Sequence, residues 1–158
     1  MNLNGTLVHQ TYSMGVGVEM YKRPGLSSFI SRMSKQYELV IFSMGESGTV
    51  QEVCEALDPN MQMIQGRFGR ENTVMKNGKY VKDLSYINRP VKDIIYIDFS
   101  DECIDFHKDN AIILKKFEGQ EDDRDLIDLI PFLDRKSLTI PYHFRILLTF
   151  YLYRFGKA

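Results

Sequence analysis

Hydrophobic positions along the chain alternate between a helical and a strand spacing. Leu3, Leu7 and Val8 flank a polar turn and suggest the end of a short strand. Pro24 opens a helix whose Leu26, Phe29, Ile30 and Met33 share one face, because residues three and four apart are neighbours on a helix. Tyr37 to Phe42 is a compact apolar run that reads as a buried strand. Val50, Val53, Cys54 and Leu57 mark a second amphipathic helix, stopped by Asp58-Pro59. Met61 to Phe68 and Thr73 to Met75 read as strands. Lys76-Asn77-Gly78-Lys79 is a two-residue hairpin signal, since both central residues of a type I′ turn need positive φ. Tyr80-Val81 continue the returning strand. Ile94 to Ile97 forms a further buried strand ending at Asp98, and Ala111 to Leu114 another. Glu121-Asp122-Asp123 place acids at the positive end of a last helix carrying Leu126, Leu129, Ile130 and Leu133.

This alternation predicts an α/β fold: a parallel sheet flanked by helices, with a small β-hairpin insert at about 61–82. Ligands of such sheets sit at the carboxyl ends of the strands. The turns after Leu3, Phe42 and Ile97 therefore bring Asn2, Asn4, Ser43 and Asp98 into one neighbourhood.

Composition changes this picture mainly at the C-terminus. The chain has 158 residues, enough for one domain with its own core, and a formal net charge of −1 gives no general attraction to DNA. Residues 135–158 hold five of the 20 basic residues and no acidic ones, leaving 15 basic against 21 acidic in the remainder. Within that tail, residues 140–155 interleave aromatic and aliphatic side chains with Arg145 and Arg154. The sequence thus divides into a domain over 1–134 and a basic aromatic docking segment over 135–158. The segment is a candidate for packing on its own domain, for a partner's groove, or for a membrane surface through 140–155. Phe144, Arg145, Phe150, Tyr151 and Arg154, with Asn77 and Gly78 at the hairpin, are the candidate partner-binding residues. Cys54 and Cys103 are too few for a disulfide framework and read as core thiols. No apolar run approaches the ~20 residues needed to span a bilayer, and no presequence precedes the fold. With only Met1 before Asn2, the first strand is expected to be short or completed by another chain.

An ordered series of motifs resembles the FCP/SCP branch of the haloacid-dehalogenase (HAD) phosphatases. That family opens on Asp-x-Asp-Gly/Glu-Thr-Leu-Val-His, matched here by Asn2-Leu3-Asn4-Gly5-Thr6-Leu7-Val8-His9. The match continues through Lys22-Arg23-Pro24-Gly25, Tyr37 to Ser43, Tyr80 to Ser85, Ile94 to Asp98, Asn110-Ala111-Ile112 and Leu129 to Leu133. Leu57-Asp58-Pro59, Asn88-Arg89 and Gly119 to Asp123 are similar to the spellings of one branch in particular, the presequence receptors of the mitochondrial inner-membrane TIM translocase.

In the family's reaction the first Asp attacks phosphorus and the second protonates the leaving oxygen, both beside Mg²⁺. An amide is neither a competent nucleophile nor a general acid, and two lost carboxylates weaken a hard-cation site. The resemblance therefore implies a pseudophosphatase with Asn2 and Asn4 as degenerate catalytic positions, no catalytic residue, and the Mg²⁺ site lost with Asp98 as its remnant. Thr6, Ser43 and Lys82 are retained and mark a vestigial phosphate pocket. The chain is then expected to act through other protein subunits, as an inner-membrane-associated mitochondrial translocase component meeting presequence peptides. The alternatives are a scaffold subunit of a respiratory complex or mitoribosome, and a residual phosphatase or phosphate-binding module.

Overall fold

The computed structural model describes residues 1–15 and 17–136. Strands β1 (Val8–Ser13) and β2 (Gly17–Lys22) form an antiparallel hairpin, followed by helix α1 (Leu26–Met33) and strand β3 (Leu39–Phe42). Helix α2 (Ser47–Leu57) leads to β4 (Ile64–Phe68), which pairs parallel to β3. The short hairpin of β5 (Val74–Lys76) and β6 (Lys79–Val81) comes next, then β7 (Tyr96–Asp98) and β8 (Ala111–Ile113), a second parallel pair. Helix α3 (Asp125–Lys136) closes the described chain, beginning just after the acids expected to open it and carrying past residue 134.

Residues 1–4 join the two parallel pairs. The Met1 nitrogen donates to the Val40 carbonyl at 2.7 Å and Phe42 N–H donates to Met1 O at 2.9 Å, while Asn2 N–H donates to Ile97 O at 2.8 Å. The spatial order is β4, β3, residues 1–4, β7, β8, so the short first segment lies at the centre. Because successive side chains of a strand point to opposite faces, this arrangement sorts the core into two clusters. Leu3, Leu39, Ile41, Ile97 and Ile112 meet the buried sides of the three helices, including Phe29, Val53 and Leu129. Phe42, Tyr96 and Ala111 instead pack with Leu84 and Ile104, which come from short 3₁₀ turns.

Two expectations need correction. The insert is smaller than 61–82, because Ile64–Phe68 is an edge strand of the parallel sheet and only Val74–Val81 forms the separate hairpin. Its turn is of the expected kind, with Asn77 at φ 50° and Gly78 at φ 75°. The hairpin β1–β2 escaped the hydrophobic pattern, because Tyr12, Met14, Val18 and Tyr21 are exposed and its strands present little buried face. Gly25, at φ 79°, caps α1 where a Cβ would come within 2.5 Å of Ile127, so α1 and α3 approach closely at that point.

Candidate functional site

The carboxyl ends of the central strands converge on a cleft of about 340 Å³. The tight turn after Leu3 sets its floor: Leu7 N–H donates to Leu3 O at 2.8 Å, and Gly5 N–H to Val8 O at 2.8 Å. Gly5 has φ 78°, and a Cβ there would lie 2.8 Å from the Phe99 ring, so this turn takes glycine on two grounds. Ser43 follows β3, Asp98 ends β7, and Lys82 directly follows β6. Asn2, Asn4, Ser43 and Asp98 thus meet in one neighbourhood, with Lys82 beside them.

The buried centre is a closed network. Asn2 Nδ2 donates to Asp98 Oδ1 at 2.9 Å and to the Asn4 carbonyl at 3.2 Å. Lys82 Nζ donates to Asn2 Oδ1 at 3.1 Å, to Asp98 Oδ2 at 3.0 Å and to Tyr96 Oη at 2.6 Å. These contacts fix the amide's orientation, since the reverse would set Asn2 Nδ2 against the ammonium. Asp98 Oδ1 also accepts from Phe99 N–H at 2.7 Å, and Oδ2 lies 2.9 Å from Tyr96 Oη. Burial pushes the Lys82 ammonium below its ordinary pKa, and Asp98 partly offsets it. Burial and then Asp98 drive the Tyr96 phenol well above its own, which keeps it a donor.

The expected residues divide by position. Asn2, Asn4, Ser43, Lys82 and Asp98 line the cleft, whereas Thr6 is fully buried beneath it, its hydroxyl 3.4 Å from Asp98 Oδ1. Asn4 is exposed, its Oδ1 accepting from Gln10 N–H at 3.1 Å. Ser43 Oγ accepts from Gly45 N–H at 3.2 Å. Asn77 and Gly78 stand exposed at the tip of the β5–β6 hairpin, away from the cleft. Phe144, Arg145, Phe150, Tyr151 and Arg154 lie outside the described residues.

As a cradle for Mg²⁺ the donor set does not fit. A hard divalent cation takes several oxygen ligands, with carboxylates foremost. Here Asp98 is the one carboxylate at the centre, each of its oxygens already accepts from at least two partners, and Asn2 turns an N–H₂ toward it. Among the described residues no group of three or more His, Cys, Asp and Glu is placed to hold a metal. His107 instead lies with Nε2 2.9 Å from Asp83 Oδ1.

Two functional contributions were missed. Tyr96 reads as one apolar residue of Ile94–Ile97, but it lies two residues before Asp98 and so on the same face, and a buried phenol requires a partner. Arg23 was matched only as part of a motif. Its fully buried guanidinium forks onto Asp123 at 2.7 Å through Nε and 2.7 Å through Nη2, and reaches Asp125 at 2.8 Å. It also donates to the Thr6 carbonyl at 3.0 Å and the Lys115 carbonyl at 3.0 Å, which anchors the site turn to the start of α3. Two acids at the start of α3, Asp123 and Asp125, are thus the partners of Arg23.

A sheet-centred site with a glycine turn and a buried Lys–Asp pair defines a phosphatase-like domain of the HAD type. The sequence matches the NLI interacting factor-like phosphatase family over residues 1–142, and the chain belongs to that family. Among its relatives, the mitochondrial import inner membrane translocase subunit tim50 of Emericella nidulans is 40% identical over 134 residues, covering 85% of this chain and 25% of its own length. The corresponding TIM50 subunit of Arabidopsis thaliana is 34% identical over 145 residues, covering 92% of this chain and 38% of its own length. The chain thus spans well under half the length of these relatives. In solved structures, the RNA polymerase II CTD phosphatase Fcp1 superposes with a TM-score of 0.63 at 19% identity, over 87% of this chain and 48% of the other. Fission yeast Fcp1 bound to beryllium fluoride gives 0.55 at 17%, over 90% and 50%. These two likenesses establish the fold alone, and they bear out the expected HAD-like architecture.

Proposed function

We propose that this chain is a catalytically silent phosphatase-fold domain of the mitochondrial inner-membrane import translocase, working through contacts with other subunits and with presequence peptides. The observation that carries the first half is the Asn2 amide. It donates to Asp98 and accepts from Lys82, so the position that would need a free carboxylate nucleophile is a neutral group with both ends engaged. Asn4 likewise offers no proton for a leaving group. On this reading Mg²⁺ is not held, and the Lys82 ammonium alone neutralises the site.

The second half is supported by the likeness to import translocase subunits and by a groove of about 300 Å³ beside the β5–β6 hairpin. Phe42, Phe68, Val74 and Ile87 line it, and Glu71 stands at its edge. The Ser47 hydroxyl, at 2.6 Å, holds the Glu71 carboxyl below its ordinary range, so it is negative at neutral pH. An apolar trough with an acidic edge suits an amphipathic helix with basic residues on its other face. Purification of the tagged native protein tests the assignment: translocase subunits are expected in stoichiometric yield. Respiratory-complex or ribosomal subunits in their place would overturn it in favour of a scaffold role.

A further inference from the structure

The chain carries two Asn-Gly pairs, Asn4-Gly5 at the turn of the cleft and Asn77-Gly78 at the tip of the β5–β6 hairpin. An asparagine followed by glycine is labile in water, because the glycine nitrogen, with no side chain in its way, attacks the neighbouring side-chain amide. The reaction needs an accessible asparagine, a following N–H free of other partners, and room for the backbone to turn. Both asparagines are exposed, so the fold separates the two pairs by the other conditions.

At the cleft those conditions fail. Gly5 N–H donates to Val8 O at 2.8 Å, and Asn4 Oδ1 accepts from Gln10 N–H at 3.1 Å, so nucleophile and electrophile are held in separate bonds. Gly5 is also buried against the Phe99 ring, and its carbonyl accepts from Phe117 N–H at 2.8 Å. Freeing the Gly5 nitrogen therefore means opening a turn that is bonded on both sides and packed from above.

At the hairpin they are met. The Lys76↔Lys79 pairing closes the two-residue turn and leaves its central N–H groups outside the ladder. Among the described residues, neither the Asn77 side chain nor the Gly78 N–H has a hydrogen-bond partner. A Cβ on Gly78 would meet nothing within 4 Å, so the turn has room to rearrange. Lys79, exposed beside it, adds positive charge that favours a deprotonated Gly78 nitrogen and the oxyanion formed on attack. Lys76 on the other side is already paired with Asp105 at 2.9 Å.

We propose that Asn77 is a site of spontaneous isoaspartate-forming modification, and that the fold protects Asn4 from the same reaction. The Gly78 nitrogen gives its proton to solvent and bonds to Asn77 Cγ. The Cγ–Nδ2 bond breaks, ammonia leaves with a proton from water, and a succinimide ring remains. Water then opens the ring. Cleavage at Cγ leaves aspartate, and cleavage at the main-chain carbonyl leaves isoaspartate, with the backbone rerouted through Cβ. No electrons are exchanged, and water is the only co-reactant. The rerouted backbone no longer fits the type I′ turn, so the hairpin is the ageing-sensitive element while the amide at position 4 outlasts it.

The test incubates the full chain in mildly alkaline buffer, folded in one sample and unfolded in urea in the other. Peptide mass spectrometry follows amide-to-acid conversion at each pair, and an isoaspartyl methyltransferase with labelled methyl donor confirms the isoaspartate. In the folded protein, residue 77 should convert at least about tenfold faster than residue 4, because residue 4 reacts only through local opening. In urea the two pairs should convert at similar rates. A smaller folded-state ratio, a ratio that persists unchanged in urea, or no conversion at residue 77 in the folded protein overturns the proposal.

Discussion

Asn2→Asp is the substitution that asks whether the amide belongs where it is. The change places a carboxylate 2.9 Å from Asp98 Oδ1 and 3.1 Å from the Lys82 ammonium. At an effective dielectric of about 20, the new repulsion is about 5.7 kcal/mol and the new attraction about 5.4 kcal/mol. The two nearly cancel, so the charge itself does not decide the outcome. What remains is the lost donation from Asn2 Nδ2 to an ionised acceptor, about 1.5–3 kcal/mol, with a desolvation cost in the same direction. The expected loss is therefore about 2–3 kcal/mol, or a midpoint lower by about 4–12 °C for a domain of this size. Thermal and urea unfolding of wild type, Asn2→Asp and Asn2→Ala measure it. Asn2→Ala removes the donor without adding charge, so the two variants should agree within about 1–2 kcal/mol. Millimolar MgCl₂ should leave the wild-type midpoint unchanged. An Asn2→Asp protein as stable as wild type without Mg²⁺, or a wild type stabilised by Mg²⁺, would refute this reasoning.

The remaining predictions concern the frame around the site. Arg23→Lys should cost about 3–5 kcal/mol in chemical denaturation, because an ammonium cannot reproduce the fork onto Asp123 while also holding Asp125 and the Thr6 carbonyl; a loss under about 1 kcal/mol would show that the anchor is dispensable. At Asp58, burial alone would raise the carboxyl, but N–H groups of Gln62, Met63 and Ile64 at 3.2, 2.8 and 2.8 Å hold it below its ordinary value. Its folded-state pKa is thus depressed, so its stabilisation is present above the unfolded carboxylate value of about 3.9 and is lost as pH falls through the folded value. Asp58→Asn should lower stability by about 1–3 kcal/mol at neutral pH and flatten the acid limb of the stability curve; an unchanged acid limb would contradict this.

Much of the fold was legible because a parallel strand buried on both faces is an unbroken apolar run. Leu39 to Phe42 and Ile94 to Ile97 gave that signal, and the carboxyl-end rule then placed Ser43 and Asp98 together. The β4 strand was assigned to the wrong neighbour because its burial is partial and its pairing is a long-range fact that local periodicity does not encode. The β1–β2 hairpin lacked a sequence signal for a similar reason: its strands are half-buried or exposed, with a longer turn than the Asn77-Gly78 type. At the site, residue type and motif order identified Asn2, Asn4, Lys82 and Asp98. They did not reveal how completely the network closes, because hydrogen-bond direction depends on Tyr96 and on backbone groups such as Phe99 N–H. Arg23 was opaque for the opposite reason, since its partners lie about a hundred residues away.

The most direct measurement of the central claim is turnover of para-nitrophenyl phosphate with Mg²⁺ by freshly purified protein and by its Asn4→Ala variant. Intact mass must first confirm that Asn4 is not deamidated, because an Asn-Gly pair that has hydrolysed regains a carboxylate. The account predicts the same background rate for both proteins. Turnover in the wild type that Asn4→Ala abolishes would contradict it.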